Sequence, residues 1–197
     1  MHTFLEETLE RLISKHDTVS SLILVCPSKR AGSYLRHSLK MLVDKTAFSP
    51  KIVSIEEFIE EISGLKIIDS NELLFKGYEA YTRSSNKTEK DSFGVFSTWA
   101  TTLLNDINEI DRYLVSPKQF FNYLSSIQDL NHWYLKDKKT PLIEEYLKFW
   151  DGLYGFYTSL KDLLMENSLG YQGLVYRKAS EDIEHYITAN PESSHVF

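Results

Sequence analysis

Three consecutive residues near the start of the chain, Ser28-Lys29-Arg30, bring together a hydroxyl, an ammonium and a guanidinium. Those are the groups that hold phosphate oxygens. They follow an apolar run, Leu22-Ile-Leu-Val-Cys26, which reads as a short strand buried on both faces. A helical pattern with Leu35, Leu39 and Leu42 inward follows them. The three residues therefore stand at the carboxyl end of a strand and the amino end of a helix. Open α/β sheets take ligands there, and unpaired backbone N–H groups at a helix start favour anions. A second strand, Lys51-Ile-Val-Ser54, ends in another hydroxyl on the same edge of the expected sheet. Between Ser28 and Lys51 the cations Lys29, Arg30, Arg36, Lys40, Lys45 and Lys51 face one acid, Asp44. Ser28, Lys29, Arg30 and Ser54 could thus form a shelf for a nucleic-acid backbone. On spacing alone, a solvated basic helix accounts for the same residues.

Other chemistry lacks its residues. A phosphate loop needs G-x-x-x-x-G-K-[ST], because its glycines let backbone N–H groups close around the phosphates; no such run occurs. The six histidines have no metal-ligand spacing. No Glu or Gln has a lysine two places on, as a restriction-type nuclease core requires. Asp106 and Glu109 share a helix face near Asp111, and this group reads as a solvated surface. Cys26, the single cysteine, has no base beside it and reads as a buried strand-end residue. No metal, cofactor or catalytic residue is expected.

The elements that would position the shelf follow from periodicity. Leu5, Leu9, Leu12 and His16 recur at helical spacing over residues 3 to 16. Ser54 with Glu57 three residues on makes a capping box for a helix ending at Gly64. Residues 1 to 65 thus read αβαβα, half of a doubly wound α/β sheet. From about Ser70 the pattern is helical with no strand signal. One helix carries Leu73, Leu74 and Tyr78, and the next Phe96, Trp99, Leu103, Ile107, Ile110 and Leu114. Ser116-Pro117 and Thr140-Pro141 open two more. The longer of these carries a heptad seam from Ile143 through Tyr146, Trp150, Leu153, Tyr157 and Leu160 to Leu164, with Gly152 and Gly155 where a neighbouring helix could approach. A last helix runs from about Gly173 to Ile187. Ser194-His195-Val196-Phe197 turns apolar again, like a strand cut off at its first residues, so a fragment of a longer protein is expected.

The bulk numbers bound these readings. The chain has 197 residues, 42% hydrophobic and 25% charged, with a net charge of −6. That charge excludes a surface wholly given to non-specific nucleic-acid binding and leaves room for a local basic patch. The acidic amphipathic start lacks the pattern of a signal peptide, and no apolar run reaches the length of a membrane span. A cytoplasmic protein is expected, with no membrane partner.

The passages PSKRAG, PKIVSIEEFIEEISG, FSTWATTLLNDINEIDRYL and GYQGLVYR resemble the N-terminal region of the AddB/RexB-like PD-(D/E)XK nuclease family, whose N-terminal half is an inactivated UvrD-like helicase fold. LVCPSKRAGSYLR resembles the strand-to-turn motif by which such helicases touch single-stranded DNA, and KIVSIEEF the next motif. The resemblance covers nearly the whole chain. It implies that residues 1 to 65 are part of a RecA-like, P-loop-type parallel sheet without its phosphate loop. Residues 66 to 190 would be an all-helical insertion domain, making the fold a partial sheet followed by a mostly helical insertion, and residues 194 to 197 the strand that rejoins the sheet. It implies that this chain alone is not an enzyme, while the parent protein is an ATP-dependent exonuclease-type nuclease of DNA repair. Of its DNA-contacting positions, only Ser28, Lys29, Arg30 and Ser54 carry over, implying single-stranded DNA as partner. A helicase-nuclease subunit is a second partner, for which the Ile143–Leu164 seam would be a docking face.

Overall fold

The computed structural model describes residues 3–16, 19–42, 48–84, 90–133, 141–191 and 193–197, with side chains from 128 to 151 excepted. The protein is α/β, mostly helical, with a small parallel sheet. The chain divides into two units. The first comprises residues 1–63 and 181–197, and the second residues 64–180.

In the first unit, α1 (Phe4–Lys15) starts at Thr3, whose side chain accepts from Glu6 N while Glu6 reaches back to Thr3 N. β1 (Leu22–Cys26) is buried at every position. After it come α2 (Lys29–Leu42), β2 (Lys51–Ser54) and α3 (Ile55–Ser63). Alternate residues of β1 (Leu22, Leu24 and Cys26) pack with Leu9 of α1, Leu35 and Leu39 of α2, and Ile52 of β2. This is how a five-residue strand with no polar face is kept from water: both of its surfaces and both of its edges are covered. β2 runs parallel to β1, with Cys26 opposite Ser54. The other edge of β1 is taken by a strand from the far end of the chain (Ser194–Val196), also parallel, with Leu24 opposite Val196. Phe58 of α3 meets the edges of Tyr186 and Phe197 at 5.7 Å each and lies 5.5 Å from His195.

The second unit opens at Gly64, whose φ of 67° ends α3 as the sequence predicts. β3 (Lys66–Ile67) leads to α4 (Ser70–Ser84), α5 (Phe93–Arg112), α6 (Pro117–Trp133) and α7 (Pro141–Glu166). β4 (Leu169–Gly170) then precedes α8 (Gln172–Ala189), and the Ser194–Val196 strand is β5. β3 and β4 pair in parallel, a ribbon of two residues in each strand within the region read from the sequence as helical. Phe96, Ala100, Leu104, Ile107 and Ile110 form the buried face of α5.

Leu114 departs from the expected α5 face. It is half exposed, with φ 56°, because the helix ends at Arg112, two residues before it. The N–H of Leu114 donates to Asp111 O and that of Val115 to Ile110 O, the two bonds of a Schellman cap with leucine where glycine is usual. Gly152 and Gly155 also depart from expectation, since among the described residues nothing lies within 4 Å of a Cβ at either. The close approach is at Gly173, where a Cβ would collide with the backbone of Asn108 and Arg112. Of the heptad seam, Leu153, Tyr157, Leu160 and Leu164 are buried within the chain. The side chains of Ile143, Tyr146 and Trp150 lie outside the described residues.

Candidate nucleic-acid interface

The register of β1 against β2 decides what the shelf contains. Because Cys26 lies opposite Ser54, the turns that follow both strands leave the same edge of the sheet side by side. Each turn runs straight into a helix. Ser28 caps α2: its Oγ accepts from Ala31 N at 3.2 Å and its carbonyl from Gly32 N at 3.1 Å. Ser54 caps α3: its Oγ accepts from Glu57 N at 3.2 Å, and Glu57 Oε2 accepts from Ser54 N at 2.9 Å and from Ser54 Oγ at 3.1 Å. Two helix starts thus stand next to each other, each with its partial positive charge toward the same side.

The four sequence-predicted residues are brought together, but they are not alike. Ser28, Lys29 and Arg30 are exposed. Ser54 is 3% exposed, and its hydroxyl is engaged in the cap. Lys29 turns toward Ser54's side of the edge and meets Glu57 Oε1 at 3.3 Å. Arg30 forms no ion pair among the described residues and faces solvent. The capping bond from Ser54 N, with Lys29 close by, holds the Glu57 carboxyl below its ordinary range, so it is a full anion near neutral pH.

The remaining cations of the basic stretch do not join this edge. Arg36 reaches back to the carbonyl of Ile52 at 2.5 Å and ties α2 to β2. Lys51 begins β2, at the opposite end from Ser54, and is held by both Glu61 oxygens at 2.5 and 2.6 Å. Lys40 is exposed eleven residues along from Lys29, about 16 Å down the axis of α2. Lys45 lies outside the described residues. The run of charge in the sequence is therefore dispersed by the fold, and the edge itself carries Lys29 and Arg30. Cys26 is buried beneath it, its thiol pushed up by burial, which suits a packing role.

A second polar constellation escapes sequence reasoning. Asp111 of α5 is fully buried, not part of a solvated face. Its Oδ1 accepts from Arg177 Nε at 2.7 Å and from Tyr157 Oη at 2.9 Å; its Oδ2 accepts from Tyr171 Oη. Arg177 also donates to the carbonyls of Val115 (2.6 Å) and Ile110 (3.2 Å). Burial, with the Asp111 charge next, pushes both tyrosine hydroxyls above their ordinary range, so they remain donors. Beside this knot, Asn108 Oδ1 accepts from Gly173 N at 2.8 Å and supplies α8 with the cap its own sequence lacks. Asp106 is exposed, and Glu109 pairs with Arg112 at 3.6 Å on the surface. The geometry is structural: both carboxylate oxygens of Asp111 are satisfied, and the residue is closed to solvent. No local signal marks it, since its partners Tyr157, Tyr171 and Arg177 lie 46, 60 and 66 positions on from Asp111.

No family model, curated protein or solved structure matches the chain. Among the described residues no group of His, Cys, Asp or Glu is placed to hold a metal ion, and no helix is long and apolar enough to cross a membrane.

Proposed function

We propose that the chain is the N-terminal, helicase-like portion of a DNA-repair nuclease of the AddB/RexB-like kind. In this reading residues 1–63 and 181–197 form part of a RecA-like domain, and the helical unit is an insertion within it. The α2/α3 edge steers single-stranded DNA by its backbone. Arg30 contacts a phosphate, Lys29 a neighbouring one, and Ser28 and Ser54 set the two helix starts that aim them. Contacts of this kind give affinity without sequence choice.

The observation that carries the reading is the β1–β2 register, which puts the two strand-to-helix turns that resemble DNA-contacting motifs at one edge. The sheet order β2-β1-β5 adds to it, because a strand returning beside β1 after a long helical excursion suits an interrupted doubly wound domain. The test is fluorescence anisotropy of the chain with a labelled single-stranded oligonucleotide at several salt concentrations. Binding should weaken as salt rises. Lys29→Ala/Arg30→Ala should flatten the log–log slope by about 0.7 for each phosphate that is no longer neutralised. Affinity that ignores both salt and the double substitution rejects the proposal.

A further inference from the structure

We infer that Glu57 is an internal competitor for the anion site of this edge, setting its affinity by occupying Lys29. The inference rests on the nucleic-acid reading above and assigns that edge a built-in brake. The Glu57 carboxylate takes a cation on one oxygen (Lys29 Nζ, 3.3 Å) and a backbone N–H with a hydroxyl on the other (Ser54 N, 2.9 Å; Ser54 Oγ, 3.1 Å). An ammonium, an amide and a hydroxyl are also the donors a phosphate oxygen takes. The carboxylate thus holds the Lys29 ammonium that an approaching phosphodiester would need.

The two oxygens have separate work. Oε2 holds the cap of α3, and Oε1 holds Lys29. Lys29 can therefore swing to a phosphate while Glu57 stays in the cap. The pair also opens easily, since its side chains are 72% and 40% exposed. Arg30 has no such acid beside it among the described residues, so a polyanion meets Arg30 at once and gains Lys29 only by displacing a carboxylate. The ligand this arrangement favours is one presenting successive phosphates, such as a single strand, over a lone anion.

Glu57→Gln keeps an acceptor for Ser54 N and removes the charge, so the cap and the fold are retained. The measurement is anisotropy with labelled oligothymidylate over a salt series, using the whole chain as wild type, Glu57→Gln, Lys29→Ala and the double variant. Glu57→Gln should bind about two- to fivefold tighter, with a log–log salt slope steeper by up to about 0.7, one additional phosphate on a single strand. In the Lys29→Ala background most of that gain should vanish. An unchanged or weaker Glu57→Gln, or a gain of equal size with and without Lys29, overturns the competition. If the wild type binds with salt dependence and Glu57→Gln matches it, only the brake fails. If neither protein binds, the nucleic-acid reading fails with it.

Discussion

Each of the two units joins an acid to a base across elements distant in sequence, and the two joints have opposite physical character. Lys29–Glu57 links the starts of α2 and α3 at the surface. Arg177–Asp111 links α8 to α5 with the carboxylate wholly out of water and the arginine nearly so. An exposed pair stabilises little, because water solvates the separated ions almost as well. A buried pair need not stabilise the fold relative to apolar residues, yet losing one partner strands the other charge in a medium that cannot solvate it. The surface joint can part at small cost, and the buried joint cannot. An openable joint thus belongs to the first unit and a fixed one to the second.

The largest expected effect comes from breaking the buried joint. Arg177→Met leaves Asp111 with two tyrosine donors and no countercharge, and should destabilise the protein by about 3–5 kcal/mol in urea unfolding. Adding Asp111→Asn, which removes the stranded charge and keeps an acceptor for a tyrosine, should restore part of the loss. A single-variant cost under about 1 kcal/mol would mean that Asp111 is solvated, and the contrast between the units would disappear.

What the sequence discloses follows the same division. The first unit is legible because local rules suffice there: a five-residue apolar run between Ser21 and Pro27 suits a covered strand, and Ser54 with Glu57 three residues on suits a capping box. What is hidden there is non-local. Nothing in the spacing tells that Lys29 crosses to Glu57, that Arg36 is committed to the Ile52 carbonyl, or that Lys51 is held by Glu61. In the second unit the helices are legible from their periodicity, but each strand of the β3–β4 ribbon is two residues long and has no period to read. Asp111 misleads for a physical reason, since an acid near a helix end is ordinarily solvated. Its burial depends on an arginine 66 positions on. Leu114 misleads because it continues the apolar rhythm of α5 just past the point where the Schellman cap stops the helix.

An intermediate effect separates the cap from the ion pair within the surface joint. Ser54→Ala removes the hydroxyl that accepts from Glu57 N and should cost about 1 kcal/mol. Lys29→Ala removes only the screened pair and should cost less, on the order of a few tenths of a kcal/mol. Chemical denaturation of the two variants side by side distinguishes them. Equal losses would mean that Lys29 is part of the scaffold and not free to leave Glu57.

The smallest effect is in pH, and its sign follows from Glu57. Unfolded, its carboxyl titrates near the ordinary value of 4.5; folded, the Ser54 N–H bond, with Lys29 behind it, holds it lower. Between those two values the unfolded chain binds the extra proton. Stability from this group is therefore complete above the ordinary value, falls as pH falls through the window, and is absent below the folded value. Because the side chain is 40% exposed, the contribution should stay under about 1 kcal/mol. Glu57→Gln has no proton to take up. The melting-temperature difference between wild type and Glu57→Gln should therefore be constant near neutrality and shrink as the solution is taken below the ordinary carboxylate range, other carboxylates being common to both. A difference that stays flat into acid would show that the carboxylate is not held by the cap. Glu57 would then be an ordinary surface acid, and Lys29 as free as Arg30.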